Sequence, residues 1–143
     1  MKKLLLTLTF LSFYLASTAG SAIRVDKSGS GEVIMFLPGF TSPGTVWSET
    51  IQNLKGEFES HVVSYAGFNG IEAIEMPWYS TIKEELIEYI VQNNLKDLNI
   101  IGHSMGGTLG ADLAAELPDR INRLIVVDGL PCMREVMMPN VPA

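Results

Sequence analysis

The chain has 143 residues, 47% of them hydrophobic and 18% charged, which fits one folded domain and excludes a disordered chain. Sixteen acidic residues against ten basic ones leave a net charge of −6, so nucleic acid is excluded as an expected partner. Cys132 is the only cysteine, and this excludes an internal disulfide.

The amino terminus predicts a signal peptide over residues 1–22. Two lysines precede an apolar run over residues 4–15, and small residues follow, so cleavage is expected after Ala19 or Ala22. A membrane anchor is the alternative, but a run of twelve residues is too short for about 30 Å of hydrocarbon. We therefore expect export, to the periplasm or outside the cell, without stable membrane insertion after the signal peptide is removed.

Residues 23–143 are expected to form one domain in which strands and helices alternate. Short apolar runs between turn residues predict strands over residues 22–26, 33–37, 62–65, 98–102 and 124–127. Apolar residues at helical spacing predict helices over residues 45–58, 81–93 and 105–117, and Thr81 with Glu84 predicts a capping box. This alternation predicts an α/β fold, a mostly parallel sheet with helices on both faces, whose site lies at the carboxyl ends of the strands.

The strongest motif is Gly-His-Ser-Met-Gly over residues 102–106, between a predicted strand and a predicted helix. Three fixed positions of this kind occur by chance in about one chain in twenty of this length. A sharp strand-to-helix turn would expose the Ser104 hydroxyl as a nucleophile, and glycines at 102 and 106 would prevent clashes. The Met105 N–H would then point toward a developing oxyanion. The alternative is a glycine-rich helix cap that contains a serine.

A second motif, Pro38-Gly39-Phe40, follows the strand predicted over residues 33–37. A glycine at this point allows a sharp turn that exposes the next backbone N–H. We expect the N–H of Phe40 to be the second oxyanion donor. A plain Pro-Gly turn is the alternative.

Together these motifs resemble the α/β-hydrolase family, most of all its esterase, lactonase and perhydrolase-like members, over residues 33–129. Phe40 and Trp47 match the aromatic residue and the tryptophan that follow the family's first long strand. Pro38 stands where the family usually has histidine. Residues 66–70 are similar to the family's glycine-rich loop but lack its aspartate.

The resemblance implies a triad of serine, then Asp or Glu, then histidine, and here the chain departs from it. Only His61 and His103 are present. We expect the His103 side chain to point away from the Ser104 hydroxyl, and we expect His61 to begin a strand far from the site. Asp128 is an alternative candidate for the acid.

The base and the acid are therefore expected beyond residue 143. The chain is interpreted as the N-terminal portion of a longer hydrolase, truncated after the strand that follows the nucleophile helix. Residues 130–143 would then begin a cap segment. In this interpretation the 143-residue chain alone is inactive.

The function predicted is that of an exported serine hydrolase acting on an ester or related acyl bond of a small molecule. No metal or organic cofactor is expected, because side chains and backbone amides suffice for the proton and charge changes. Lactone hydrolysis, perhydrolysis, acyl transfer and carbon–carbon hydrolysis stay open. The alternative function is a non-catalytic or diverged exported binding module similar to the α/β-hydrolases.

Overall fold

The computed structural model describes residues 20–129, so most of the predicted signal peptide and the predicted cap segment lie outside it. The described residues form five strands, three helices and a short 3₁₀ turn. In chain order these are β1 (Ile23–Gly29), β2 (Glu32–Leu37), the 3₁₀ turn (Gly44–Trp47), α1 (Ser48–Asn53), β3 (Phe58–Tyr65), α2 (Trp78–Gln92), β4 (Leu98–His103), α3 (Met105–Glu116) and β5 (Ile121–Val127).

The strands form a single five-stranded sheet in the order β1-β3-β2-β4-β5. The pairs β2–β3, β2–β4 and β4–β5 are parallel, and only β1 runs antiparallel, against β3. The mostly parallel sheet predicted from the sequence is therefore confirmed. Because Leu37 pairs with Gly102, β2 and β4 end side by side at the same edge of the sheet.

Helices cover both faces of the sheet. Alternate side chains of a strand point to opposite faces, so apolar residues on both faces need a covering layer. Met35 and Leu37 belong to the buried core that also contains Leu86 of α2 and Leu109 of α3. Phe36 points to the opposite face, where its ring lies 5.6 Å from that of Trp47 in the 3₁₀ turn. The prediction of helices on both faces is thus also confirmed.

Helix α3 lies unusually close to the sheet because it has glycines where it crosses β5. A Cβ on Gly107 would lie 2.6 Å from Val126 Cγ1, and one on Gly110 would lie 2.7 Å from Leu124 Cδ1. Any larger side chain would push the helix outward. Glycines weaken a helix by about 1 kcal/mol each relative to alanine, and the close contact with β5 offsets part of that cost.

Several element boundaries differ from the sequence predictions, among them the start of β5, which begins at Ile121 and not at Leu124. The helix predicted over residues 45–58 contains only the 3₁₀ turn and α1, and β3 begins already at Phe58. Strand β1 extends to Gly29, where it pairs with Glu59 of β3, and Glu59 also pairs with Val33 of β2. Pairing on both sides thus holds a polar segment in a strand that its composition does not predict.

Helix α2 begins earlier than predicted, and the predicted capping box is absent. Pro77 occupies the N-cap position with extended backbone angles, and the Thr81 hydroxyl donates to the Pro77 carbonyl at 2.7 Å. Thr81 therefore lies inside the helix, not at its end. The predicted apolar face is confirmed, since Ile82, Leu86 and Ile90 are fully buried.

The outer edge of β5 pairs with no other strand of residues 20–129. Its side chains Ile125, Val126 and Val127 are substantially exposed. No helix in this part of the chain is long and apolar enough to cross a bilayer.

Candidate active site

Ser104 lies on the sharp turn between β4 and α3, at the carboxyl end of the sheet. Its backbone angles are φ 51° and ψ −119°, a combination that residues with a side chain rarely adopt. The Ser104 N–H donates to the Val127 carbonyl at 2.9 Å, and the Ser104 carbonyl accepts from the Gly107 N–H at 2.9 Å. The turn is thus held between the end of β5 and the first turn of α3.

The two glycines of the motif allow the turn to pack against its neighbours. A Cβ on Gly102 would collide with the backbone of Gly106 and Gly107. A Cβ on Gly106 would collide with the carbonyls of Leu37 and Pro38 at the end of β2. Both clashes are with backbone, which cannot rotate away, so the spacing of the motif has a direct steric cause.

The Pro38-Gly39-Phe40 turn lies directly beside Ser104. A Cβ on Gly39 would lie 3.4 Å from Ser104 Cβ and 2.8 Å from the His103 Nδ1 atom. The N–H groups of Phe40 and Met105 donate to no acceptor within residues 20–129. Both candidate oxyanion donors are therefore free in the described region, on the two segments that flank the serine, and their catalytic role stays a prediction.

Tyr65 supports this turn through a contact with Pro38, a role that the sequence does not predict. The Tyr65 ring is buried at the end of β3, and its hydroxyl donates to the Pro38 carbonyl at 3.3 Å. Burial raises the pKa of Tyr65 far above its usual value, so the hydroxyl stays protonated as a donor. Nothing in the sequence distinguishes this tyrosine from an ordinary core residue.

An aromatic cluster formed by Phe40, Phe68 and Trp78 lies next to the turn. The Phe40 ring is 5.3 Å from Phe68 and 5.6 Å from Trp78, and Phe68 is 5.9 Å from Trp78, all with near-perpendicular planes. The Trp78 Nε1–H donates to the Ala66 carbonyl at 2.9 Å. Edge-to-face pairs of this kind contribute about 0.5–1.5 kcal/mol each. Phe40 nonetheless keeps 58% of its surface exposed.

Comparison with known proteins identifies the family of the chain. The family model described as "alpha/beta hydrolase fold" matches residues 32–142. The chain belongs to the α/β-hydrolase family.

Two curated relatives carry the name pimeloyl-[acyl-carrier protein] methyl ester esterase. The protein from Aeromonas salmonicida is 28% identical over 116 residues, which is 78% of this chain and 43% of that protein. The protein from Vibrio cholerae is 27% identical over 110 residues, 77% of this chain and 42% of that protein. The chain thus spans less than half the length of the curated relatives it matches.

Two solved structures extend the comparison. A marine microorganism esterase is 33% identical with a TM-score of 0.65, over 73% of this chain and 40% of that one. An alpha/beta superfamily hydrolase from Oenococcus oeni is 23% identical with a TM-score of 0.70, over 78% of this chain and 43% of that one. At 23% identity, the likeness to the Oenococcus oeni protein shows the fold alone.

Neither histidine of this α/β-hydrolase chain acts as a partner of Ser104 in the described region. His103 lies against Gly39 and forms no hydrogen bond with Ser104 within residues 20–129. His61 was expected to begin a strand, and this is wrong: it lies within β3, fully buried. Its ring nitrogens lie 2.8 Å from the Tyr89 hydroxyl and 2.5 Å from a Glu59 carboxylate oxygen. A polar residue can lie there because both nitrogens have partners.

Two acidic residues, one after β5 and one on α3, differ in their surroundings. Asp128 follows β5 with a positive φ of 48° and is exposed, so it stays an open candidate for the triad acid. Asp112 lies on α3 and accepts a 2.8 Å hydrogen bond from the Tyr79 hydroxyl. Burial and this hydrogen bond raise the pKa of Tyr79 well above its usual value. Asp112 therefore joins α3 to α2.

The described residues contain an open cleft away from Ser104 and no cluster of metal-ligating side chains. Within residues 20–129, no group of three or more histidine, cysteine or acidic side chains is arranged to hold a metal ion. An open cleft of about 420 Å³ lies between β1 and α2, lined by Ile23 and Val25 on one side and by Glu85, Glu88 and Tyr89 on the other. It is separate from the Ser104 turn.

Proposed function

We propose that the protein is an exported serine esterase in which Ser104 is the nucleophile. The observation that carries this proposal is the position of Ser104 on a strained turn, directly beside the free N–H groups of Phe40 and Met105. A buried structural serine does not need a positive φ, because the same hydroxyl can be placed by ordinary backbone. Strain at such a position is common where a side chain must be presented to a substrate.

In the proposed reaction the Ser104 hydroxyl attacks the ester carbonyl carbon while a base removes its proton. The carbonyl oxygen becomes an oxyanion, which accepts hydrogen bonds from the N–H groups of Phe40 and Met105. The base returns the proton to the leaving alkoxide, so an alcohol departs and an acyl-serine remains. Water then attacks the acyl-serine by the same route, which releases the acid and restores the hydroxyl.

The general base is proposed to be a histidine beyond residue 143. His61 is buried within β3 with both nitrogens engaged, and His103 makes no hydrogen bond to Ser104. No other histidine is present. The relatives extend to more than twice the matched length, which leaves room for such a residue.

The substrate is proposed to be a small ester with an apolar group next to the carbonyl. The exposed ring of Phe40, backed by Phe68 and Trp78, gives an apolar surface on the same turn that carries one oxyanion donor. Methyl ester hydrolysis, which the names of the curated relatives describe, is compatible with this surface.

The decisive experiment is covalent labelling of the full-length protein with a fluorophosphonate, which reacts with activated serines. We expect labelling at Ser104, confirmed by peptide mass spectrometry, and loss of both labelling and ester hydrolysis in Ser104→Ala by at least about 10³-fold. Ser48→Ala, at an exposed serine that begins α1, is the matched control and should behave as wild type. Labelling that persists in Ser104→Ala would refute the assignment of the nucleophile.

The 143-residue chain provides a second test. Without a base, a serine reacts slowly, and general-base assistance contributes about 10²–10⁴-fold. We therefore expect little or no ester hydrolysis by the purified 143-residue chain. Turnover equal to that of the full-length protein would show that a residue of this chain supplies the base.

Export is supported by the sequence pattern at the amino terminus, two lysines followed by the apolar run over residues 4–15. We expect the protein in the periplasmic or extracellular fraction of its host. Replacing both lysines and two residues of the apolar run by aspartate should retain it in the cytoplasm. Wild-type protein found only in the cytoplasm would refute export while leaving the esterase proposal intact.

A further inference from the structure

We propose that processing cuts the chain between Ala19 and Gly20, so that Ser21 and Ala22 remain as a structural part of the mature protein. This inference rests on the proposed export. The sequence alone leaves two positions open, since small residues precede a cut after Ala19 and a cut after Ala22 equally well. The contacts of Ser21 and Ala22 in the fold distinguish the two.

Ala22 is an integral part of the sheet and the core. Its side chain is fully buried and belongs to the main core cluster. Its carbonyl accepts from the Ala66 N–H at 2.8 Å, which continues the pairing of β1 with β3 by one step. Its N–H lies 2.9 Å from both carboxylate oxygens of Glu85 on α2. A cut after Ala22 would remove all of these contacts.

Ser21 extends the same anchor to helix α2. Its hydroxyl lies 2.8 Å from Glu85 Oε2 and 2.8 Å from the Ile23 carbonyl. The Glu85 carboxylate thus has its partners on residues that a cut after Ala22 would discard. That cut would also place a new ammonium group on Ile23, which is 9% exposed, and burying a charge there is costly.

The cut after Ala19 instead places the new charge where it is accommodated. The new ammonium group would be on Gly20, which is exposed, and a Cβ on Gly20 would lie 3.9 Å from Glu72 Oε2. In the uncut chain the same nitrogen is a neutral amide. Processing at this bond therefore adds a positive charge next to a carboxylate and leaves every contact of Ser21 and Ala22 in place.

The direct test is the intact mass of the full-length protein recovered from the exported fraction of its host. A mass that corresponds to Gly20 as the first residue supports the inference. A mass that corresponds to Ile23 overturns the inference while export stands. A mass that retains Met1 overturns both. None of these outcomes bears on Ser104, whose labelling is measured separately on the same sample.

Two variants test the position of the cut by a second measurement, in addition to the intact mass. Ala19→Leu places a large residue only at the proposed cleavage site, and we expect it to accumulate uncut precursor. Ala22→Leu places the same residue at the other site, and we expect normal cutting after Ala19 but a lower Tm, because Leu exceeds the buried space of Ala22. The opposite pattern, with cutting blocked by Ala22→Leu alone, would overturn the inference.

The structural part of the inference is tested with two full-length proteins expressed to start at Gly20 and at Ile23. The protein that starts at Ile23 lacks the Ala22 contacts with Glu85 and Ala66. We expect its Tm to be lower by about 5 °C or more. Equal Tm values for the two proteins would overturn the claim that Ser21 and Ala22 belong to the mature fold.

Discussion

The two turns that flank the candidate active site are held in place by different kinds of interaction. The turn after β4, which carries Ser104, is fixed by backbone: Gly102 and Gly106 pack against main-chain atoms of neighbouring elements. The turn after β2, which carries Phe40, shares the backbone contact with Gly106 but also depends on side chains, namely the Tyr65 hydroxyl and the ring of Trp78.

This difference predicts different tolerance to substitution. Backbone atoms in a parallel sheet cannot move without disturbing the strands on both sides, whereas an aromatic ring can shift and repack. Substitutions at the Ser104 turn should therefore abolish folding or reactivity, and substitutions behind the Phe40 turn should reduce both by degrees.

The largest effect is expected for Gly106→Ala. The added Cβ would collide with the carbonyls of Leu37 and Pro38, and we expect a loss of at least about 3 kcal/mol in the free energy of unfolding together with loss of fluorophosphonate labelling. Chemical denaturation and labelling of the full-length variant measure both.

The matched control for Gly106→Ala is Gly70→Ala. A Cβ there meets no atom within 4 Å, so its cost is limited to a φ of 77°, about 1 kcal/mol. The comparison between the two turns breaks down if Gly106→Ala is no less stable than Gly70→Ala and labels at the wild-type rate.

An intermediate effect is expected for Trp78→Ala. This change removes ring contacts with Phe40, Phe68 and Tyr65 and the hydrogen bond to the Ala66 carbonyl. We expect the free energy of unfolding to fall by about 2–4 kcal/mol and labelling to slow without being lost.

Trp78→Phe keeps an aromatic ring but not the donor, and it should lie between Trp78→Ala and wild type. Equilibrium unfolding measures the change in the free energy of unfolding, and the rate of labelling at Ser104 measures the change in reactivity. A labelling rate at the background level in Trp78→Ala would mean that the Phe40 turn depends on its rings as strictly as the Ser104 turn depends on its glycines.

The smallest effect is expected for Tyr65→Phe. The substitution removes one hydrogen bond, 3.3 Å long, to the Pro38 carbonyl and keeps the buried ring. We expect a loss of about 0.5–1.5 kcal/mol in stability. Ester hydrolysis should fall by less than about tenfold, since the Phe40 amide is loosened but not removed.

In Tyr65→Phe the decrease should appear in kcat more than in KM, because an oxyanion donor acts mainly in the transition state. Tyr79→Phe is the control, since its hydroxyl bonds Asp112 and not the turn. A larger decrease in kcat for Tyr79→Phe than for Tyr65→Phe would contradict the proposed role of Tyr65.

Features that depend on residues close in sequence are predictable from the sequence, and features that depend on distant residues are not. The turn at Ser104 is predicted from the local spacing of its glycines, and Gly102 is indeed required by a contact close in sequence, with Gly106. The contact that requires Gly106, with the carbonyls of Leu37 and Pro38, is long-range and appears only in the structure. The core strands and the buried face of α2 were predicted because continuous or periodic apolar residues must be buried. The start of β3 is not predicted, because Glu59 and His61 are polar. His61 is buried through its contacts with Glu59 and with Tyr89, and Tyr89 is distant in sequence.

The sequence by itself determined the alternation of strands and helices and the sharp turn at Ser104, since both depend on local spacing and burial, and its motifs carried the resemblance to the family. Only the tertiary structure decided that Tyr65 and Trp78 lie behind the Phe40 turn and that Glu85 anchors Ala22. These residues are distant from their partners in sequence, and any tyrosine, tryptophan or glutamate could serve elsewhere. The role of Tyr65 arises from the parallel pairing of β2 with β3, which brings the ends of these strands to one edge. The roles of Trp78 and Glu85 arise from the packing of α2 beside the sheet.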